Sequence, residues 1–542
     1  MYDHPEKKGY ALSEYYLEGD SVISIAEKMK SGFYKNTFGT ELYLNANTDN
    51  YYFNNELKFQ GEWERGNGHV NTNEDRIVQS LNHPDYSVTN DLDLLKTKGK
   101  KVFRLKSFIG YKDIAQTLEV TPVLFHDIFQ LDSRDGRMRQ KFDLSTFSTR
   151  NSISGAIKGR FSFDYQAEFN ASLQRLESGL EAIDERQMYT EDSLSNNIKR
   201  NYVEGILSVS NSYDVTPSLN IMLSLPLRYV FLHRNAGRQQ KTDQNYWYVD
   251  PFLMLNWQIS ARLSANVMYR YDHSLGKIED SYTHPVMTNY RSLLSNDGLQ
   301  EEIRNHNLSC FINYRNPFTT FFGSLHLFYT HARSNLLSDY RYNGILTERS
   351  STEKPNDSDN ITASLSVGKE IEVISSKLSF SVSYFQNKSK QLVQGEIAGF
   401  DSRQISFSPD LRVTFGQAAN FHYRLEYALG KSKIDISDAP LPTIKTLSQK
   451  ATFNVFPFKN VVTSFRFDYF YNNAVEGGSR TMWFGDIGIK YRLKKIEFLL
   501  DWTNIFDTDR YSTASYKETG KYFYSYELRP REILFRIRFN IL

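Results

Sequence analysis

A single cysteine, Cys310, occurs in 542 residues, which excludes a disulfide within the chain. An excess of one charge is also absent. There are 65 Lys and Arg against 63 Asp and Glu, a formal net charge of +2. A nucleic-acid binder would carry a basic stripe, and none is present. No apolar run approaches the roughly 18 residues of a membrane-spanning helix, and mean hydropathy is −0.53. No Pro-, Gly- or Ser-rich linker divides the chain, although a soluble protein of this length is expected to split into several domains. The first eight residues carry charge with no apolar stretch behind it, so they are no signal peptide. Gly-x-Ser-x-Gly, phosphate-binding glycine loops and cysteine–histidine pairings are missing, which argues against an enzyme. The 11 histidines are scattered. His326 and His331 are an odd number apart on an expected strand and point to opposite faces, whereas metal sites need clustered ligands. The oxygen-rich tracts 71–75 and 356–360 lack the spacing of a calcium loop and read as solvated loop tips. Asp184/Glu185 and Glu301/Glu302 are merely adjacent, without the convergence that acid–base work needs.

What the chain does have is aromatics, 15% of residues with 36 Tyr and 38 Phe. That is too many for disorder. Apolar residues recur at every second position over stretches of about 10 to 13 residues, long enough to cross a membrane at a tilt. In 532–542, Ile533, Phe535, Ile537, Phe539 and Ile541 share one face, while Leu534, Arg536, Arg538 and Asn540 share the other. Ile221, Leu223, Leu225, Leu227 and Tyr229 likewise oppose Ser224 and Arg228. Phe465, Phe467 and Tyr469 oppose Ser464, Arg466 and Asp468. Cys310 shares the parity of Leu308, Ile312 and Tyr314 and reads as a small residue facing lipid. Trp247, Trp257, Trp483 and Trp502 fall near strand ends, like the aromatic girdles of the lipid–water boundary.

Connections are expected to alternate in length. Short ones fall at 112–115, 213–217, 258–261, 315–318, 373–376, 416–420, 457–460 and 494–495. Long polar ones fall at 64–100, 176–200, 272–302, 332–359, 387–403, 430–446 and 506–531. Short turns on one side and long loops on the other is the outer-membrane arrangement. The expected fold class is therefore all-β, a transmembrane antiparallel up-and-down β-barrel of about 22 strands. The barrel occupies 38–542, and 1–37 is a first extracellular loop with a poorly formed strand at 9–17. About 21 strands can be counted, the first and last both descending, whereas bacterial barrels normally have an even number. An N-terminal strand or strands and an export signal are therefore expected upstream. Pro122, Pro226 and Pro251 fall inside strand candidates, where bulges would accommodate them.

The segment 491–507, Tyr-Arg-Leu-Lys-Lys-Ile-Glu-Phe-Leu-Leu-Asp-Trp-Thr-Asn-Ile-Phe-Asp, resembles the penultimate hairpin of TonB-dependent outer-membrane receptors. Asn504, Ile505, Phe506 and Asp507 stand where that family has an Asn-Leu-Phe-Asp type motif at the top of the penultimate strand. Tyr511, the segment 528–531 and Arg538-Phe539 fit the same pattern. The segments 44–57 and 116–122 look like the large Bacteroidota receptors, which carry a carboxypeptidase-regulatory-like domain and a plug before the barrel. Nothing here resembles a plug or a TonB box. The resemblance implies the barrel portion of a receptor in the bacterial outer membrane, importing a scarce small nutrient such as a chelate, a cofactor or a glycan fragment. It implies outer-membrane lipid and the barrel-assembly machinery as partners, the latter reading Phe535, Ile537 and Phe539. The TonB complex would act only through the missing plug. No cofactor and no nucleic acid are implied. Family barrels commonly end on an aromatic residue, whereas Phe539 is followed by Asn540, Ile541 and Leu542.

On the expected lumen face Arg228, Arg270, Arg424, Arg466, Arg492, Arg536 and Arg538 are balanced by Asp410, Glu426, Asp468, Asp486 and Asp501. That is a ladder of cross-strand ion pairs, not a field selecting a ligand's charge. Tyr340 and Tyr342 lie in a long loop, where they either stack on a ligand or pack the loop. A plugless porin-like passive channel and a surface β-rich binding protein are the alternative readings.

Overall fold

Alternating apolar residues do form strands. The computed structural model describes residues 6–17, 21–72, 75–99, 101–157, 161–184, 187–236, 241–436, 441–476, 479–517 and 520–539. It has thirty strands in one sheet, in place of about 22. The surplus lies in the connections. Seven strands belong to long loops: Met188–Tyr189, Val286–Asn289, Ser292–Leu294, Leu337–Asn343, Leu346–Thr352, Arg510–Lys517 and Gly520–Glu527. One wall strand is also split, into Lys241–Val249 and Phe252–Ser260. No described helix is long and apolar enough to cross a membrane.

Wall strands pair antiparallel with their sequence neighbours. Directly opposed residues share a face, so register turns each strand's alternation into rows around the wall. One row runs Trp257, Ala265, Ile312, Leu325, Leu365, Val382, Phe407, Tyr427, Leu447, Tyr471, without a polar residue. Another runs Val413, Phe421, Phe453, Phe465, Ile487, Trp502, Ile533. Cys310 sits in this band between Val267 and Leu327. The band faces outward, and among the described residues no second sheet covers it; Leu365 is 48% exposed. The other face is polar. Ser324, Ser366, Ser381 and Ser408 form one row, with Ser381 donating to Ser366 at 3.0 Å. Part of the expected ion-pair ladder is present there. Arg424 meets Asp410 at 3.1 Å, Arg466 meets Asp486 at 3.7 Å, and Arg536 pairs with Asp501. Arg492 and Arg538 converge on the buried Glu497, which the sequence did not single out.

The first wall strands are longer than alternation suggests. Val22–Thr48, Tyr51–Asn71, Arg76–Lys98, Lys101–Thr121, Arg137–Ile157 and Phe161–Ile183 have 21 to 27 residues each. The turn expected at 112–115 lies inside one of them, and the loop expected at 64–100 contains another. Residues 22–37, read as loop, are strand as well. The loop expected at 387–403 is two strand ends joined at Gln394 and Gly395. A strand needs only about 9–11 residues to cross the lipid. Beyond that band both faces are polar, and no alternation marks the strand. Pro122 and Pro251 sit at interruptions, whereas Pro226 lies inside Leu219–Ala236, opposite Ser208. Pro122 follows Thr121, and Pro226 faces the break at Asp250, whose N–H donates to the Pro226 carbonyl at 3.2 Å.

The ladder almost returns on itself. At the long-loop end, residues 9–15 of the first strand, Glu6–Tyr16, pair with 520–526. The first strand's other edge pairs with 22–32 of Val22–Thr48. Further down, the matching edge of 33–48 and the outer edge of the final strand, Glu532–Phe539, have no ladder partner among the described residues. Asn540, Ile541, Leu542, Glu185 and residues 73–74 lie outside the described residues.

Candidate functional site

Two long connections fold back over the mouth of the wall. In the connection 335–355, Leu337–Asn343 and Leu346–Thr352 form a hairpin with a two-residue turn, Gly344 and Ile345. Gly344 has φ +57°, the left-handed conformation that tight hairpin turns require. In the connection 276–301, Val286–Asn289 and Ser292–Leu294 form a second hairpin. Parallel pairing of 292–294 with 347–349 joins the two. A further parallel contact ties Asp339 and Tyr340 to Leu392 and Val393 on the wall.

These hairpins bridge distant parts of the wall. The 337–352 hairpin arises halfway round the ladder from the first strand. Yet the Tyr342 ring lies 4.4 Å from that of Tyr15 on the first strand. Tyr342, Tyr15, Ile25, Val393 and Ala398 make one buried cluster. Tyr342 therefore packs the loop. On the other hairpin, Met287, Tyr290 and Leu293 enter a larger buried cluster with Val70, Ile77, Val120, Met138 and Leu180. Register places those wall residues on the inward face. Burial of side chains this size contributes about 1.5–3 kcal/mol each. Polar contacts fix the register of the cover. Met287 N–H donates to Gln140 Oε1 at 2.8 Å, and the N–H groups of Thr283 and His284 donate to Asn196 Oδ1 at 3.0 and 2.9 Å. Arg291 reaches Glu27 of the second strand at 3.7 Å. Burial, then Glu279 and Asp280, push the Tyr282 hydroxyl above its ordinary value. The result is a lid across the mouth over a polar interior.

The interior wall beneath the lid carries a satisfied ion cluster. Arg228 Nε donates to Glu204 at 2.8 Å, and Nη1 bonds Asp250 and, at 3.0 Å, the His273 carbonyl. Among the described residues, no group of three or more metal-ligating side chains occurs. His326 opposes Phe311 whereas His331 opposes His306, on opposite faces. Residues 356–360, read as a loop tip, begin a wall strand.

The motif 504–507 ties the base of the last long connection. Asn504 and Asp507 have φ +50° and +55°. Asn504 N–H donates to Asp486 at 3.0 Å, and its amide donates to the carbonyls of Thr508 at 2.9 Å and Arg529 at 3.0 Å. Ile505 N–H donates to the Gly485 carbonyl, and Arg531 N–H to Asp507. Phe506 crosses Gly485, where a Cβ would stand 2.7 Å from its ring. Phe535, Ile537 and Phe539 are exposed on the outer face, opposite Leu500, Phe498 and Ile496. Asn343-Gly344 was the sequence signal for the lid hairpin.

No protein-family model and no curated protein matches the chain. Among solved structures, it is similar to a copper transporter, OprC, at 9% identity and TM-score 0.46, covering 99% of this chain and 81% of that one. It is similar to the ferric yersiniabactin uptake receptor FyuA of Yersinia pestis at 9% identity and TM-score 0.43, covering 98% and 80%. It is also similar to the outer-membrane transporter YddB of Escherichia coli at 10% identity and TM-score 0.44, covering 97% and 81%.

Proposed function

We propose that the chain forms the wall and outer lid of a receptor-type transporter of the bacterial outer membrane, taking up a small nutrient by TonB-dependent transport. The observation that carries this reading is the unbroken apolar band on one face, backed by paired charges and serines on the other. In water such a band would be a very large uncovered apolar surface; in a bilayer it is solvated. The lid favours a gated receptor over an open passive channel, because two buried clusters hold it across the mouth. Among the described residues, the final strand and residues 33–48 each keep an edge without a ladder partner, which fits a downward continuation of the ascending first strand. In this reading the plug and TonB box precede that strand in the whole protein, and the lid lets cargo reach them.

The test is cysteine reactivity in lipid vesicles on a Cys310→Ser background. Ser366→Cys is expected to react with a water-soluble maleimide, and Leu365→Cys to be protected until detergent dissolves the bilayer. Equal reactivity at the two adjacent positions would sink the membrane reading.

A further inference from the structure

We propose that Arg200 and Arg234 form a binding site for a small oxyanion, a carboxylate or phosphate group, at the root of the lid. The two residues are directly opposed on neighbouring wall strands, Ser195–Thr216 and Leu219–Ala236, on the inward face. Their Cβ atoms are therefore about 5 Å apart. Each residue is only 7% exposed. Two like charges so close and so buried are costly unless something compensates them.

The described protein compensates them only in part: Glu279 and Asp280 act on Arg200 from a distance. Among the described residues neither guanidinium forms an ion pair with a carboxylate, and Nε and Nη1 of Arg234 and Nε of Arg200 lack hydrogen-bond partners. Arg200 is nonetheless held in place. Its Nη1 donates to Gln174 Oε1 at 3.2 Å and its Nη2 to the Gly276 carbonyl at 3.0 Å, while its guanidinium stands 5.2 Å from the Tyr202 ring. Beside the pair, Ile198, Ile278, Tyr282 and Val286 form a buried apolar cluster against Ala236. That surrounding strengthens any charge–charge interaction made there. Arg228, on the same face of the same strand, shows the contrast: Glu204 and Asp250 neutralise it. The wall thus satisfies one buried arginine from its own side chains and leaves the next two able to fork onto the oxygens of a ligand. Gly276 opens the connection that becomes the lid, so an anion here would sit where the lid joins the wall.

The experiment is equilibrium dialysis of the full chain, folded in detergent, against labelled inorganic phosphate or acetate, with chloride holding ionic strength constant. Saturable binding of one anion per chain is expected, at least ten-fold weaker in Arg234→Lys and lost in Arg234→Met. Absence of saturable binding by the parent chain overturns the proposal, and so does unchanged binding by Arg234→Met. If Arg234→Met does not fold, the parent isotherm and Arg234→Lys still decide. Phosphate binding without acetate binding, or the reverse, identifies the oxyanion. The assay needs no transport, so its failure is distinct from failure of the transport reading.

Discussion

Leu365 and Ser366 are neighbours in sequence and occupy opposite environments. Leu365 lies mid-row between Leu325 and Val382, and Ser366 bonds Ser381 on the inner face. An arginine at position 365 would be forced into lipid, at about 2–4 kcal/mol near the bilayer midplane. At position 366 it would meet water. Leu365→Arg is therefore expected to lower folding stability in vesicles by about that amount, and Ser366→Arg by much less. Denaturant titration followed by tryptophan emission reads both. Equal losses would mean that the two faces are not distinguished by lipid. This contrast was legible in the sequence, because alternation is a one-residue signal. The role of Tyr342 was not. A lone loop tyrosine carries no mark of the partner, Tyr15, more than 300 residues away.

The lid is the element whose form the sequence hid most completely. Its hairpins are short, polar on one side, and joined by parallel pairs. They bury Met287, Tyr290, Leu293 and Tyr342 against a wall that other parts of the chain supply. Periodicity within a loop cannot reveal a surface contributed from elsewhere. The same distance makes the lid testable. Tyr15 and Tyr342 touch only if the 337–352 hairpin spans the mouth. On a Cys310→Ser background, Tyr15→Cys with Tyr342→Cys is expected to cross-link under a short bifunctional maleimide. Solute flux through vesicle-inserted protein is expected to fall further when the pair is joined. No cross-link in folded protein would show that the hairpin leaves the wall. A cross-link that leaves flux unchanged would show that the lid is no gate.

At the scale of the whole molecule, the bare edges decide how the wall closes. Within Val22–Thr48, residues 28–48 pair on one side with Tyr51–Asn71, but only 22–32 pair on the other side with the first strand. In an antiparallel ladder, N–H groups of alternate residues point to alternate neighbours. About half of the amides in 33–48 therefore point toward the seam, as do half of those in Glu532–Phe539. Setting aside the seven loop strands and joining the split one leaves 22 wall strands, of which the first, Glu6–Tyr16, is far shorter than its neighbour Val22–Thr48. Hydrogen exchange in detergent locates the seam. Alternate amides of 33–48 are expected to exchange at the rate of exposed loops, while 52–71, paired on both sides, stays protected. On the proposed reading, a chain carrying further strand residues ahead of Glu6–Tyr16 is expected to protect both edges together. Full protection of 33–48 in the chain alone would show that the wall closes without a further strand, and the seam would then be a direct contact between the second and final strands.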